Sequence, residues 1–167
     1  PGLPGQIASI TLSASYDDAA DYAIAGIATS LVADVSHGEF FFSNPRLIAP
    51  MDGPGTSAGV LHAAGADGII AGQLNFPLAG IFADPTNPIA FWQVDYTYEI
   101  DPRTGMAIMD LSTQTSRFDV YLDRQSATSE SRLGELTEGV GAVVVYPAPG
   151  TGVALLGGLA LATRRRR

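Results

Sequence analysis

The chain has 167 residues, 46% of them apolar, which is enough for one domain with its own core. It carries 17 acids and nine arginines but no lysine and no cysteine. That excludes disulfides, thiol catalysis, Cys-ligated zinc, iron–sulfur clusters, P-loop nucleotide binding, Schiff-base chemistry and Lys–Asn isopeptide cross-links. Residues 164–167 hold four of the arginines, so residues 1–146 set five arginines against all 17 acids, a net of −12. Such a surface repels nucleic-acid phosphates.

In chain order, "PGLPGQ" shows neither the basic nor the apolar region of a secretory leader. The expectation, given the tail below, is that the numbering starts at a mature or truncated end. "SITLSAS" alternates, with Ile10, Leu12 and Ala14 facing one way, and predicts a half-buried strand. After the turn "DDAAD", residues Tyr22 to Val35 are small and β-branched with Gly26 in mid-run, which favours strand over helix. A turn and a short strand follow around Phe40 to Phe42, and Ala49 to Gly59 reads as loop. Asp67 to Pro77 reads as strand, and "ADPTNP" as a proline-stiffened loop.

The clearest period-2 pattern is "IAFWQVDYTYEI". Trp92, Val94, Tyr96, Tyr98 and Ile100 share one face; Gln93, Asp95, Thr97 and Glu99 share the other. The turn "DPRTG" predicts a hairpin with "MAIMDLST" as the antiparallel neighbour. "RFDVYLD" reads as a further strand with Phe118, Val120 and Leu122 inward. Residues Ser131 to Leu136 read as one helical turn, and "VGAVVVY" as the last strand. About eight strands with no sustained helical pattern predict an all-β fold, an antiparallel β-sandwich of jelly-roll type. A partly closed barrel is the alternative.

The sequence offers no catalytic constellation. His37 and His62 are too few for a multi-histidine metal site, and no Gly-x-Ser-x-Gly elbow is present. Asp95 with Glu99, and Asp110 with Asp119 on neighbouring strands, are the carboxylate pairs to weigh for glycoside hydrolysis. They also match a solvated sheet face. Calcium is the one cofactor to consider. Asp17, Asp18 and Asp21 cluster in a turn, and Asp84 with Asn87 flanks a rigid loop. Trp92, Tyr96 and Tyr98 would make a sugar-stacking platform if their face were exposed, and core if it were not.

The tail is distinctive. "PAP" at Pro147, Ala148 and Pro149 precedes 13 uncharged residues, Thr151 to Thr163, and then Arg164, Arg165, Arg166 and Arg167. As a helix the uncharged run would measure roughly 20 Å, short of a full hydrocarbon core, with the arginines at the cytoplasmic surface. This order resembles the PEP-CTERM sorting signal, a Pro-Glu-Pro motif, short transmembrane helix and Arg-rich end carried by exported proteins of Gram-negative, exopolysaccharide-making bacteria. Ala148 replaces the glutamate. The resemblance implies a β-sandwich domain at 1–146 and a sorting and membrane-anchor tail at 147–167. It also implies an exosortase-type membrane protease as partner, the inner membrane as first location, exopolysaccharide as surroundings, and display at the cell surface or release. The function expected is a non-enzymatic surface or matrix protein. A carbohydrate-binding module and an extracellular filament subunit are the alternatives.

Overall fold

The structure, a computed structural model, describes residues 7–16 and 21–146. The sorting motif, the uncharged run, the four terminal arginines, Asp17 and Asp18 lie outside those residues.

The described chain is all-β, with two antiparallel sheets. The strands are β1 (Ala8–Ala14), β2 (Ala23–His37), β3 (Glu39–Leu47), β4 (Ser57–His62), β5 (Gly65–Gly72), β6 (Ile89–Glu99), β7 (Ala107–Tyr121), β8 (Glu130–Ser131) and β9 (Val140–Val145). One sheet has the order β1-β6-β3. The other runs β4-β5-β2-β7, with β8 and β9 both on the far edge of β7.

Period-2 patterning decides which side chains meet between the sheets. From β6, Trp92, Val94, Tyr96 and Tyr98 point inward and are buried, as the alternation requires. Trp92 and Val94 meet Ile24, Ile27 and Leu31 of β2, Phe118 and Val120 of β7, and Ile69 of β5 in the larger core cluster. A second cluster joins Phe40, Tyr96 and Tyr98 to Ala33, Met109 and Val145. The Trp92 indole N–H donates to the Ala58 carbonyl at 2.9 Å, so the largest core side chain leaves no orphan donor.

Three sequence expectations are corrected. β6 and β7 do not form a hairpin. β6 has β1 on one edge and β3 on the other, and the turn after it carries the chain into the opposite sheet, leaving only the Asp101–Met106 bridge. "MAIMDLST" and "RFDVYLD" are one 15-residue strand, β7, not two. The Gly/Pro-rich stretch read as loop up to Gly59 already contains the start of β4. The strand reading of Tyr22 to Val35 holds as β2. The turn near Ser131 to Leu136 is a 3-10 turn at Leu133–Glu135.

The two sheets are unequal. At about 4.8 Å between neighbouring strands, three strands span roughly 10 Å and five strand positions roughly 19 Å. β3 packs against β4 and closes one side. The larger sheet therefore overhangs on the other side, beyond the edge of β1 that pairs with no strand among the described residues.

Candidate functional site

Under that overhang lies a groove of about 730 Å³. Its floor is apolar: Ile10, Leu12, Ile27, Leu31, Phe91 and Phe118. Its walls are β1 on one side and the 132–141 segment on the other. The volume lies in the range of small-molecule and peptide sites. Among the described residues β1 pairs only with β6, so its other edge faces the groove.

The far wall is built by a side chain standing in for a strand. β9 covers β7 from Ala107 to Ser112, and β8 covers Asp119 and Val120. Between them Glu138 takes over. Its carboxylate accepts from the Thr115 backbone N–H at 2.6 Å, from the Thr113 hydroxyl at 2.5 Å and from the Thr115 hydroxyl at 3.1 Å. Partial burial pushes the carboxyl upward, but these hydrogen bonds outweigh it and hold it below its ordinary value. At one end of the groove Arg132 donates to Asp21 at 3.2 Å, with Glu130 at 3.5 Å on its other nitrogen.

Each residue expected from sequence can now be placed. Trp92, Tyr96 and Tyr98 are core, not surface, so they provide no exposed sugar-stacking platform. Asp21 is buried and ion-paired to Arg132, and no group of three or more potential metal ligands occurs among the described residues. Asp84 caps its own loop by accepting from the Thr86 N–H and hydroxyl. Asn87 is held by Tyr16.

The Asp110–Asp119 pair separates. Asp110 and Asp119 lie on one strand, not on neighbours. Nine residues at about 3.3 Å place them roughly 30 Å apart. Asp95 is tied across its sheet to Arg46, Asn44 and Ser9, chiefly by the Arg46 guanidinium, which holds its carboxyl well below the usual range. His37 faces Asp101 at 3.8 Å and His62 faces Asp67 at 3.3 Å, one carboxylate each.

Sequence reading missed a firmly anchored loop. "GQLNFP" reads as strand, but β5 ends at Gly72. Gln73 and Asn75 turn inward and are buried. The Gln73 amide donates to the Ile24 and Asp84 carbonyls, and its oxygen accepts from the Asp84 N–H at 2.7 Å. The Asn75 amide donates to Ser126 at 2.8 Å and to Asp123 at 3.3 Å, while its oxygen accepts from the Ala83 N–H. The signal available in the sequence was polar residues at alternate positions between apolar ones, where a strand ends at a proline.

From this base the chain projects an apolar knob. Reciprocal backbone bonds join Phe76 and Ile81, and a 3-10 turn at Pro77–Ala79 forms the tip. Leu74, Phe76, Leu78, Ile81 and Phe82 are all exposed, Leu78 at 95%. The Arg124 guanidinium lies 3.9 Å over the Phe82 ring.

Comparison with protein-family models, with curated proteins and with solved structures gave no match to this chain. Among the described residues no helix is long and apolar enough to cross a membrane.

Proposed function

We propose that the chain is an exported, non-enzymatic surface or matrix protein, a β-sandwich domain delivered by a PEP-CTERM-like tail. The observation that carries this reading is the tail's three-part order. Pro147-Ala148-Pro149 comes one residue past the end of β9, followed by the uncharged run to Thr163 and by Arg164 to Arg167. Two prolines cannot continue a central strand, a short apolar run suits lipid, and arginines suit the headgroups on the cytoplasmic side. Successive strands alternate between the sheets from β1 to β4 and again from β5 to β7, which supports a jelly-roll-like sandwich. An exosortase-type protease is the partner this tail calls for, and exopolysaccharide the expected surroundings.

Fractionation tests it. The full chain, expressed in a Gram-negative host behind a secretory leader, should partition with the inner membrane. The same chain stopped after Tyr146 should be released to the periplasm. Identical distribution of the two would overturn the anchor reading.

The filament alternative is favoured by one observation, the co-occurrence of the knob and the open groove on a single chain.

A further inference from the structure

We infer that the knob at 74–82 seats in the groove beside β1 of a second copy of this chain, joining copies head to tail. This deepens the filament alternative, and its test on purified protein is independent of where the chain is exported.

The knob needs a partner. Five large apolar side chains exposed within nine residues make a contiguous patch, and such patches mark interaction sites. The residues from Leu74 to Phe82 carry no charge. The knob is not a loose loop that folds back on itself. Gln73 and Asn75 fix its base through seven hydrogen bonds to carbonyls and amides of the body. Tyr121 bonds both the Gln73 carbonyl and the Asn75 N–H. None of residues 74–82 lines the chain's own groove, so the contact is made in trans.

The groove suits it. Its floor is apolar, matching Phe76, Leu78 and Ile81. Its rim adds the exposed Val140. The edge of β1 offers backbone groups that an entering extended segment can pair with. Charges at the two surfaces are complementary. Arg124 stands beside the knob on Phe82, and Glu135 stands on the groove rim. The acids nearest the knob, Asp84 and Asp123, are turned into their own loops by bonds from Thr86 and Gln125. A second copy is therefore the occupant that supplies the apolar tip and the arginine together. Because knob and groove are different surfaces, the contact is heterologous, and repetition builds an open chain.

The absence of cysteine makes the test clean. Full-length protein carrying Leu78→Cys is mixed, in mild detergent and under oxidant, with tagged full-length protein carrying Thr137→Cys on the groove wall. Disulfide-linked heterodimer should exceed by about tenfold that formed with Val60→Cys, on the opposite edge strand β4. A chain carrying both Leu78→Cys and Thr137→Cys should give a ladder. A knob with Leu78→Asp, mixed at Phe76→Cys, should lose the cross-link, and Leu78→Met should keep it. Leu78 touches little of its own domain, so neither change should alter the circular dichroism. Heterodimer no greater than with Val60→Cys, cross-links mainly between two Leu78→Cys chains, or a double variant that stops at a closed dimer would each overturn the proposal.

Discussion

Asn75 shows how much a single buried polar side chain can organise. It gathers the carbonyls of Asp123, Arg124 and Ser126 on its amide and the Ala83 N–H on its oxygen. Replacing it by alanine removes the partner of the Arg124 and Ser126 carbonyls and of the Ala83 N–H, while the Asp123 carbonyl keeps the Ser126 N–H. Asn75→Ala should lower stability by roughly 2–3 kcal/mol, read from the urea midpoint. Glu138 makes a different prediction, one of pH. Its folded-state pKa is depressed, so its contribution is present above the ordinary glutamate value and is lost as pH falls through the folded one. Glu138→Gln should therefore be less stable than wild type at neutral pH, and the gap should close as the solution is acidified below about 4. A gap that stays constant with pH would mean that the carboxylate charge contributes nothing. At this scale the sequence separates burial from exposure well along β6, because alternation alone sets it. It does not separate roles. Trp92 as core and Trp92 as sugar platform have the same pattern, and only the presence of a second sheet over that face decides between them.

Among the elements, the crossovers were the least legible. "DPRTG" has good turn chemistry, but turn chemistry is local and cannot say whether the next strand pairs with the last one or changes sheet. Here the answer depends on β1 and β3, distant in sequence, having taken both edges of β6. The split reading of β7 has a similar cause. Its middle, Gln114 to Arg117, is polar and, apart from half-buried Thr115, exposed; among the described residues no strand covers that edge, only the Glu138 carboxylate. The reverse crossover, from β2 to β3, turns on Gly38 at φ 75°. A Cβ there would lie 2.3 Å from the Glu99 carbonyl oxygen and 2.9 Å from the Ala107 Cβ, the two ends of the other crossover. Gly38→Ala should cost roughly 2–4 kcal/mol, since both left-handed backbone and backbone collision oppose it. In the opposite direction, Asp34 and Asp110 sit directly opposite each other on β2 and β7, and both are exposed. Like charges in that position repel, so Asp110→Thr should stabilise by about 0.2–1 kcal/mol, seen as a raised melting temperature.

For the whole molecule, the all-β class was readable because nearly every element has period 2. The groove was not, because it arises from a mismatch in strand number between two sheets that no local pattern records. That mismatch sets up a competition of forces in assembly. Each full chain carries a net of −8, with −12 on residues 1–146, so approaching bodies repel over a distance that salt controls, about 10 Å at 0.1 M. The knob brings no charge, and its apolar contact gains slightly in salt. Only the Arg124–Glu135 pair works the other way, and an exposed pair is worth about 0.2–1 kcal/mol before screening. Repulsion among many acids outweighs one such pair. Association through the knob should therefore strengthen as sodium chloride rises from about 10 to 300 mM, with larger species growing in sedimentation profiles of the full chain in detergent. Arg124→Ala should weaken it only slightly, and Leu78→Asp should abolish it at every salt concentration. Association that weakens with salt, and that Arg124→Ala removes, would place the attraction in the ion pair and leave the apolar knob a bystander.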